Sequence, residues 1–185
     1  MARAGQVLEN PVTSERITFR RTAADTNGEA LEYEIVFTPR GFGAQEHLHP
    51  RQQERHEVLE GELGIVVAGR ERRLQPGDVE VVPPNTPHRL FPLGDQPVRA
   101  VFELRPALRS EQLAETLFGL GRDNKLNVKG NPNPLQLAVI GREFAEEGRA
   151  TRPPAAVQRI VLPPLAVLGR LLGYRGTYPQ YSGGG

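Results

Sequence analysis

Residues 41–61 read Gly-Phe-Gly-Ala-Gln-Glu-His-Leu-His-Pro-Arg-Gln-Gln-Glu-Arg-His-Glu-Val-Leu-Glu-Gly, and this stretch carries most of the fold information in the chain. His47 and His49 stand two apart, so on an extended strand both imidazoles project to the same face. Pro50-Arg51-Gln52-Gln53 reads as a turn, after which Glu54 opens the next strand and sets a carboxylate near the same level on an adjacent strand. A second stretch, Gly77 to His88, supplies Pro83 and a further histidine. If His47, His49, Glu54 and His88 converge, they offer three neutral nitrogens and one anionic oxygen. That set suits one divalent transition metal, iron, manganese, nickel, copper or zinc, and leaves positions open on a six-coordinate ion. The chain has no cysteine, which excludes disulfides, thiolate nucleophiles and iron–sulfur clusters and leaves metal binding to histidine and carboxylate.

Outward from this stretch, 20 glycines and 17 prolines are spread as punctuation through the 185 residues. The runs between them predict strands at 16–22, 31–38, 47–49, 54–59, 62–67, 70–74, 79–82, 88–91 and 98–105. Turn chemistry separates them, as at Ala68-Gly69, Pro76-Gly77 and Pro83-Pro84-Asn85-Thr86. Alternation puts Leu31, Tyr33, Ile35 and Phe37, then Leu63, Ile65 and Val67, then Val98, Ala100, Phe102 and Leu104 on inward faces. Nine short strands with tight turns predict an antiparallel sandwich or barrel. After Pro106 the period changes. Helices are expected over 110–120 with Ser110 as N-cap, over 135–147, and over about 157–172 with a bend at Pro163-Pro164.

The two stretches together resemble the cupin superfamily, whose pattern is G-x5-H-x-H-x3,4-E-x6-G followed by G-x5-P-x-G-x2-H-x3-N. Gly41, His47, His49, Glu54 and Gly61 meet the first part in full, and Gly77, Pro83 and His88 meet the second. The sequence departs at Asn85, where the pattern has glycine, and at Pro92, where it has asparagine. A Pro84-Asn85 pair fits a type II turn, since asparagine tolerates positive φ. The resemblance covers about residues 16–105 and implies a mainly β chain: a cupin-type jelly-roll β-barrel domain over 1–106, followed by a C-terminal α-helical extension over 107–185. It also implies that His47, His49, Glu54 and His88 ligate a metal, iron first among the candidates.

His56, two residues beyond Glu54, points to the same interior and is the candidate catalytic residue, as a proton shuttle; the plain alternative is a core histidine. Tyr33, Gln53 and Phe102 are candidate substrate-pocket residues, whereas Arg89 faces away by alternation. The expected activity is metal-dependent chemistry on a small organic molecule, oxygen-dependent and dioxygenase-type in the first place. A metal-dependent isomerase and a non-catalytic small-molecule sensor are the alternatives.

With 23 Lys+Arg against 22 Asp+Glu, bulk charge gives no reason to expect a nucleic-acid partner. The N-terminus lacks an apolar signal core and the longest apolar run is broken by Pro163-Pro164, so stable membrane insertion is not expected and a cytoplasmic location is. Charge divides the chain, net −3 over 1–106 and +4 over 107–185, with five arginines and no acid from Arg149 onward. Ile160, Val161, Leu162, Leu165, Leu168, Leu171 and Leu172 are expected to pack on the barrel or on a second subunit, giving a homodimer. The glycine-rich end, Ser182 to Gly185, is expected to be disordered.

Overall fold

A computed structural model describes residues 2–39 and 45–182. Gly41 of the first motif and the glycines of the C-terminal end lie outside the described residues. The strands in chain order are β1 (Val7–Asn10), β2 (Glu15–Arg21), β3 (Leu31–Phe37), β4 (His47–Leu48), β5 (Gln53–Glu60), β6 (Glu62–Val67), β7 (Arg70–Leu74), β8 (Val79–Val82), β9 (His88–Leu93) and β10 (Val98–Arg105). Helices α1 (Ser110–Arg122) and α2 (Pro134–Glu143) follow, then a short strand β11 (Arg149–Ala150), helix α3 (Ala155–Leu171) and a 3-10 turn at Pro179–Tyr181.

The strands form two antiparallel sheets, one ordered β1-β2-β3-β10-β5-β8 and the other β11-β4-β9-β6-β7. The expected mainly β architecture with C-terminal helices is therefore the one adopted. One apolar cluster joins the sheets: Ile17, Phe19, Ile35, Phe37, Val58, Ala100 and Phe102 from the first meet Leu63, Ile65, Leu74 and Leu90 from the second. Period-2 alternation explains it, because each of these strands turns one side chain in two toward the partner sheet. Tight turns set the registers. Ala68 and Gly69 both have positive φ, 49° and 79°, and close the β6–β7 hairpin in which Val67 faces Arg70. Gly61 alone joins β5 to β6 at φ 74°, and a Cβ there would stand 2.4 Å from the Pro97 carbonyl oxygen.

Two strands were not anticipated. Val7–Asn10 is short and lacks clean alternation, yet it pairs with β2. Arg149–Ala150 has no strand pattern at all and becomes one only by pairing with β4, Arg149 opposite Leu48 and Ala150 opposite His47. The C-terminal segment thus adds an edge to the sheet that carries two of the histidines.

Helix boundaries also shift. Arg109, not Ser110, occupies the N-cap of α1 and makes no side-chain cap bond. Ser110 is drawn inward because its Oγ accepts from Nε2 of buried Gln52, which also donates to the carbonyls of Pro106 and Ala107. Helix α2 starts at Pro134 behind a conventional cap, Asn133 Oδ1 accepting from the Leu135 and Gln136 amides. It stops at Glu143, short of the expected 147, because Phe144 leaves helical geometry at φ −111° and ψ 34°. Helix α3 runs through Pro163 and Pro164, the pair at which the sequence places its bend, and continues to Leu171. Each proline lacks an N–H and so withdraws a helical hydrogen bond without ending the helix.

One face of α3 packs on α2, where Leu162, Leu165 and Ala166 meet Ala138 and Val139. Gly169 permits the close approach, since a Cβ there would lie 2.8 Å from Val139 Cγ2. Ile160, Val161, Leu168, Leu171 and Leu172, expected to pack on the barrel or on a second subunit, are exposed in the single chain and do not pack on the barrel. No helix among the described residues is long and apolar enough to cross a membrane.

The turn geometry makes a graded prediction. Gly61→Ala combines positive φ with a backbone clash and is expected to lower unfolding free energy by about 3 kcal/mol or more. Gly69→Ala, where nothing lies within 4 Å of the added Cβ, is expected to lower it by only about 1 kcal/mol. Urea denaturation of the two variants checks the order.

Candidate metal centre

Four side chains meet between the two sheets. His47 lies in β4 and faces His88, the first residue of β9; His49 follows β4 directly, and Glu54 lies in β5 of the opposite sheet, between Val82 of β8 and Leu104 of β10. The turn at residues 50–52 therefore crosses from sheet to sheet and does not place Glu54 on an adjacent strand. The Asn85 amide, in a loop where Asn85 takes φ 60°, donates to the His49 carbonyl at 2.7 Å, tying the β8–β9 loop to the histidine strand. Asn85 thus adopts the left-handed conformation that the departure from glycine required.

One ligand atom from each of His47, His49, Glu54 and His88 lies within 4.8 Å of all the others. The imidazole centroids are 4.4 Å apart for His47–His88, 5.0 Å for His47–His49 and 5.4 Å for His49–His88. Glu54 and His88 are buried, and the other two partly so. Each ring is oriented by a backbone carbonyl at its Nδ1: Gln45 for His47 at 2.8 Å, Glu147 for His49, and Thr86 for His88 at 3.0 Å. A carbonyl can only accept, so each Nδ1 carries the proton and each neutral ring presents a bare Nε2 lone pair.

Those lone pairs meet a carboxylate. His88 Nε2 stands 2.8 Å and His49 Nε2 3.2 Å from Glu54 Oε2. With both Nδ1 atoms already donating, two acceptors at such distances are compatible only with a positive charge between them, a proton or a metal ion. His49 Nε2 is also buried without a hydrogen-bond partner. The donor set, its tautomers and its unmet acceptors fit a divalent transition cation, so the site is capable of holding one.

The electrostatics agree. Burial, helped by the neighbouring His88 and His49 rings, pushes the His47 imidazole down to about 4, so it stays neutral and ready to ligate. Burial opposes charge on His49, but the Glu54 carboxylate outweighs it and raises that ring above its ordinary value. Burial would likewise raise Glu54, yet His56 and His49 beside it hold the carboxyl well below the usual range.

His56 projects from β5 to the same interior, fully buried, with its Nε2 3.3 Å from Glu54 Oε2. Neither of its ring nitrogens has a hydrogen-bond partner, and its ring stands edge-on to Phe102 at 4.5 Å. Phe102 in turn touches Tyr33 at 5.6 Å and Phe37 at 6.2 Å. Tyr33 faces the interior, where burial and the charges of Glu54 and Glu15 raise its hydroxyl well above the usual phenol range. Gln53 is misplaced by the sequence reading: it is exposed, because alternation that sends Glu54 inward sends Gln53 out. Its neighbour Gln52 is the buried one. Arg89 is exposed, as expected, and lies over Phe91.

Sequence reasoning also missed Glu147. Its carbonyl orients His49, and its buried carboxylate accepts from the Arg109 amide at 3.2 Å, which binds the segment before β11 to the start of α1. Thr151 fastens the other end, donating through Oγ1 to Glu46 Oε1 at 2.7 Å. No side-chain pattern advertises a carbonyl ligand to a ring nitrogen, so no signal in the sequence marked this contact.

No curated protein matches the chain. Among solved structures, a predicted oxalate decarboxylase from Thermotoga maritima aligns with a TM-score of 0.50 at 15% identity, over 56% of this chain and 92% of that one. KdgF from Halomonas sp. aligns at 0.48 and 20% identity, over 55% and 86%, and the Cnp3 cupin domain of Schizosaccharomyces pombe at 0.47 and 11%, over 55% and 68%. At these identities the likeness concerns the fold. Residues 33–102, which hold His47, His49, Glu54, His56 and His88, match the cupin domain family. Over these residues the chain carries a cupin domain.

Proposed function

We propose that this chain is a metal-dependent enzyme acting on a small organic molecule, with oxygen-dependent oxidation of the dioxygenase type as its reaction. The observation that supports it most is the set of three imidazoles with Nδ1 committed to carbonyls, gathered with Glu54 so that one ligand atom of each lies within 4.8 Å of the others. In this reading His47, His49, Glu54 and His88 hold one divalent transition ion, iron before manganese, nickel, copper or zinc. When bound, a redox-active ion with open positions supplies oxygen activation and a binding point for substrate.

The residues of the chain do the rest. The carbonyls of Gln45, Thr86 and Glu147 keep the rings from rotating, which favours binding by removing freedom beforehand. His56 Nε2, next to Glu54 and walled by Phe102, holds or releases a proton on the fully buried side of the cluster. Tyr33 and Phe102 offer an aromatic wall suited to an apolar or aromatic substrate. Among the described residues the inner face carries no second acid–base pair of the kind that general acid–base enzymes use, and this favours redox chemistry over isomerisation.

Two measurements test the reading. Plasma mass spectrometry on protein purified without a metal-affinity column is expected to find near-stoichiometric iron or another redox metal, reduced at least tenfold in His49→Ala. Zinc alone would overturn the redox assignment, and a metal-free protein that takes up no added metal would leave a binding protein instead. The second concerns pH. A metal must displace the proton that His49 holds more tightly than usual, so cobalt(II) affinity is expected to rise with pH, by about tenfold per unit while one proton is released, and to level off above the raised His49 value. Titration by visible absorbance at pH 6, 7 and 8 reads it, and a flat profile would contradict the proton-for-metal exchange.

A further inference from the structure

Helix α3 carries two apolar faces, and only one is covered. Leu162, Leu165 and Ala166 are spent on α2. On another side of the helix Val157, Ile160, Val161, Val167, Leu168 and Leu171 are exposed, Ile160 by 75% and Leu171 by 80%, and Pro164 lies open among them. Positions 157, 161, 164, 168 and 171 follow alternating steps of four and three, the spacing of a helix–helix seam. No charged residue interrupts the stripe. Arg159 and Arg170 fall on the far side at 100° per residue, and Arg170 is bound to Glu143 at 3.1 Å.

The stripe is also symmetric. Counted from Pro164, Val157 and Leu171 are equally distant, as are Ile160 and Leu168, and Val161 and Val167. An antiparallel copy centred on Pro164 would set each apolar residue against another. The same operation places Gly169 opposite Arg159 and Gln158 opposite Arg170, so like charges do not meet. An isologous interface needs this property, since residue i must suit j and j must suit i. Six of these seven side chains are 42–80% exposed, so the stripe offers on the order of 700 Å2 per copy, comparable with the roughly 800 Å2 that each partner buries in a stable association.

We infer that α3 is the interface through which two copies of this chain pair, antiparallel, about a two-fold axis at Pro164. An anionic lipid surface is the competing occupant of an arginine-bearing apolar helix, but the arginines do not border the stripe where headgroups would meet them. The pairing is independent of the metal chemistry.

Sedimentation velocity on the full chain tests it, with a dimer of twice the 20.4 kDa chain mass expected at micromolar concentration. Ile160→Glu with Leu168→Glu alters exposed side chains only and is expected to weaken association at least a hundredfold while leaving the circular dichroism spectrum unchanged. Because the chain has no cysteine, single cysteines then read the geometry. Pro164→Cys at the axis is expected to oxidise to a linked dimer, whereas Val157→Cys, about 21 Å from its own counterpart along 14 helical residues, is not. A monomer at all concentrations, a dimer that survives the double variant, or linkage through Val157→Cys would overturn the proposal. So would a monomer that co-sediments with phosphatidylserine vesicles and loses that binding in the double variant.

Discussion

Three backbone carbonyls decide what the centre of this molecule can do. An imidazole free to rotate offers either nitrogen and either protonation state, but one whose Nδ1 proton is already bonded to a fixed oxygen offers a single lone pair in a single direction. The carbonyls of Gln45, Thr86 and Glu147 impose that restriction on His47, His88 and His49. The convergence on Glu54 follows from it. So does the electrostatic tension of the site, in which a carboxylate faces lone pairs across distances that only a positive charge makes tolerable.

The two sheets serve this arrangement. Sheet pairing places His47 opposite His88, and the packed interface brings Glu54 to them from the other side. The apolar cluster around Ile65, Leu90, Ala100 and Phe102 keeps the two halves at a fixed separation. A hydrophobic core, usually discussed as the source of stability, here also sets the spacing between ligands that share no strand.

The sequence made the ligands and most strands legible for a simple reason: side-chain identity and period-2 alternation are both written in residue types. His47, His49, Glu54 and His88 could be picked out because their residue types fall at the offsets of two recognisable stretches, although the sheet on which Glu54 lies could not be read from that spacing. Gln53 was assigned to the pocket and proved exposed, since one residue of register separates inside from outside. Strand β11 and the Glu147 carbonyl were invisible for a different reason. A backbone group has the same chemistry in every residue, and a two-residue strand is formed by what it pairs with, not by what it contains. The exposed stripe of α3 was legible as apolar but not as uncovered, because helical periodicity counts apolar positions and does not say how many neighbours are available to bury them.

The bond between His49 and Glu147 spans 98 residues, and this distance bears on when the centre comes into being. Chain closure over such a separation follows the formation of local hairpins, because ordering entropy must be met before a distant contact returns anything. All four candidate ligands lie in the first half of the chain and would emerge from a ribosome well before residue 147. A nascent chain at that stage has the four groups that can bind a metal but lacks the carbonyl that aims one of them. The finished geometry is thus a late product of folding, completed by a segment that contributes no ligand.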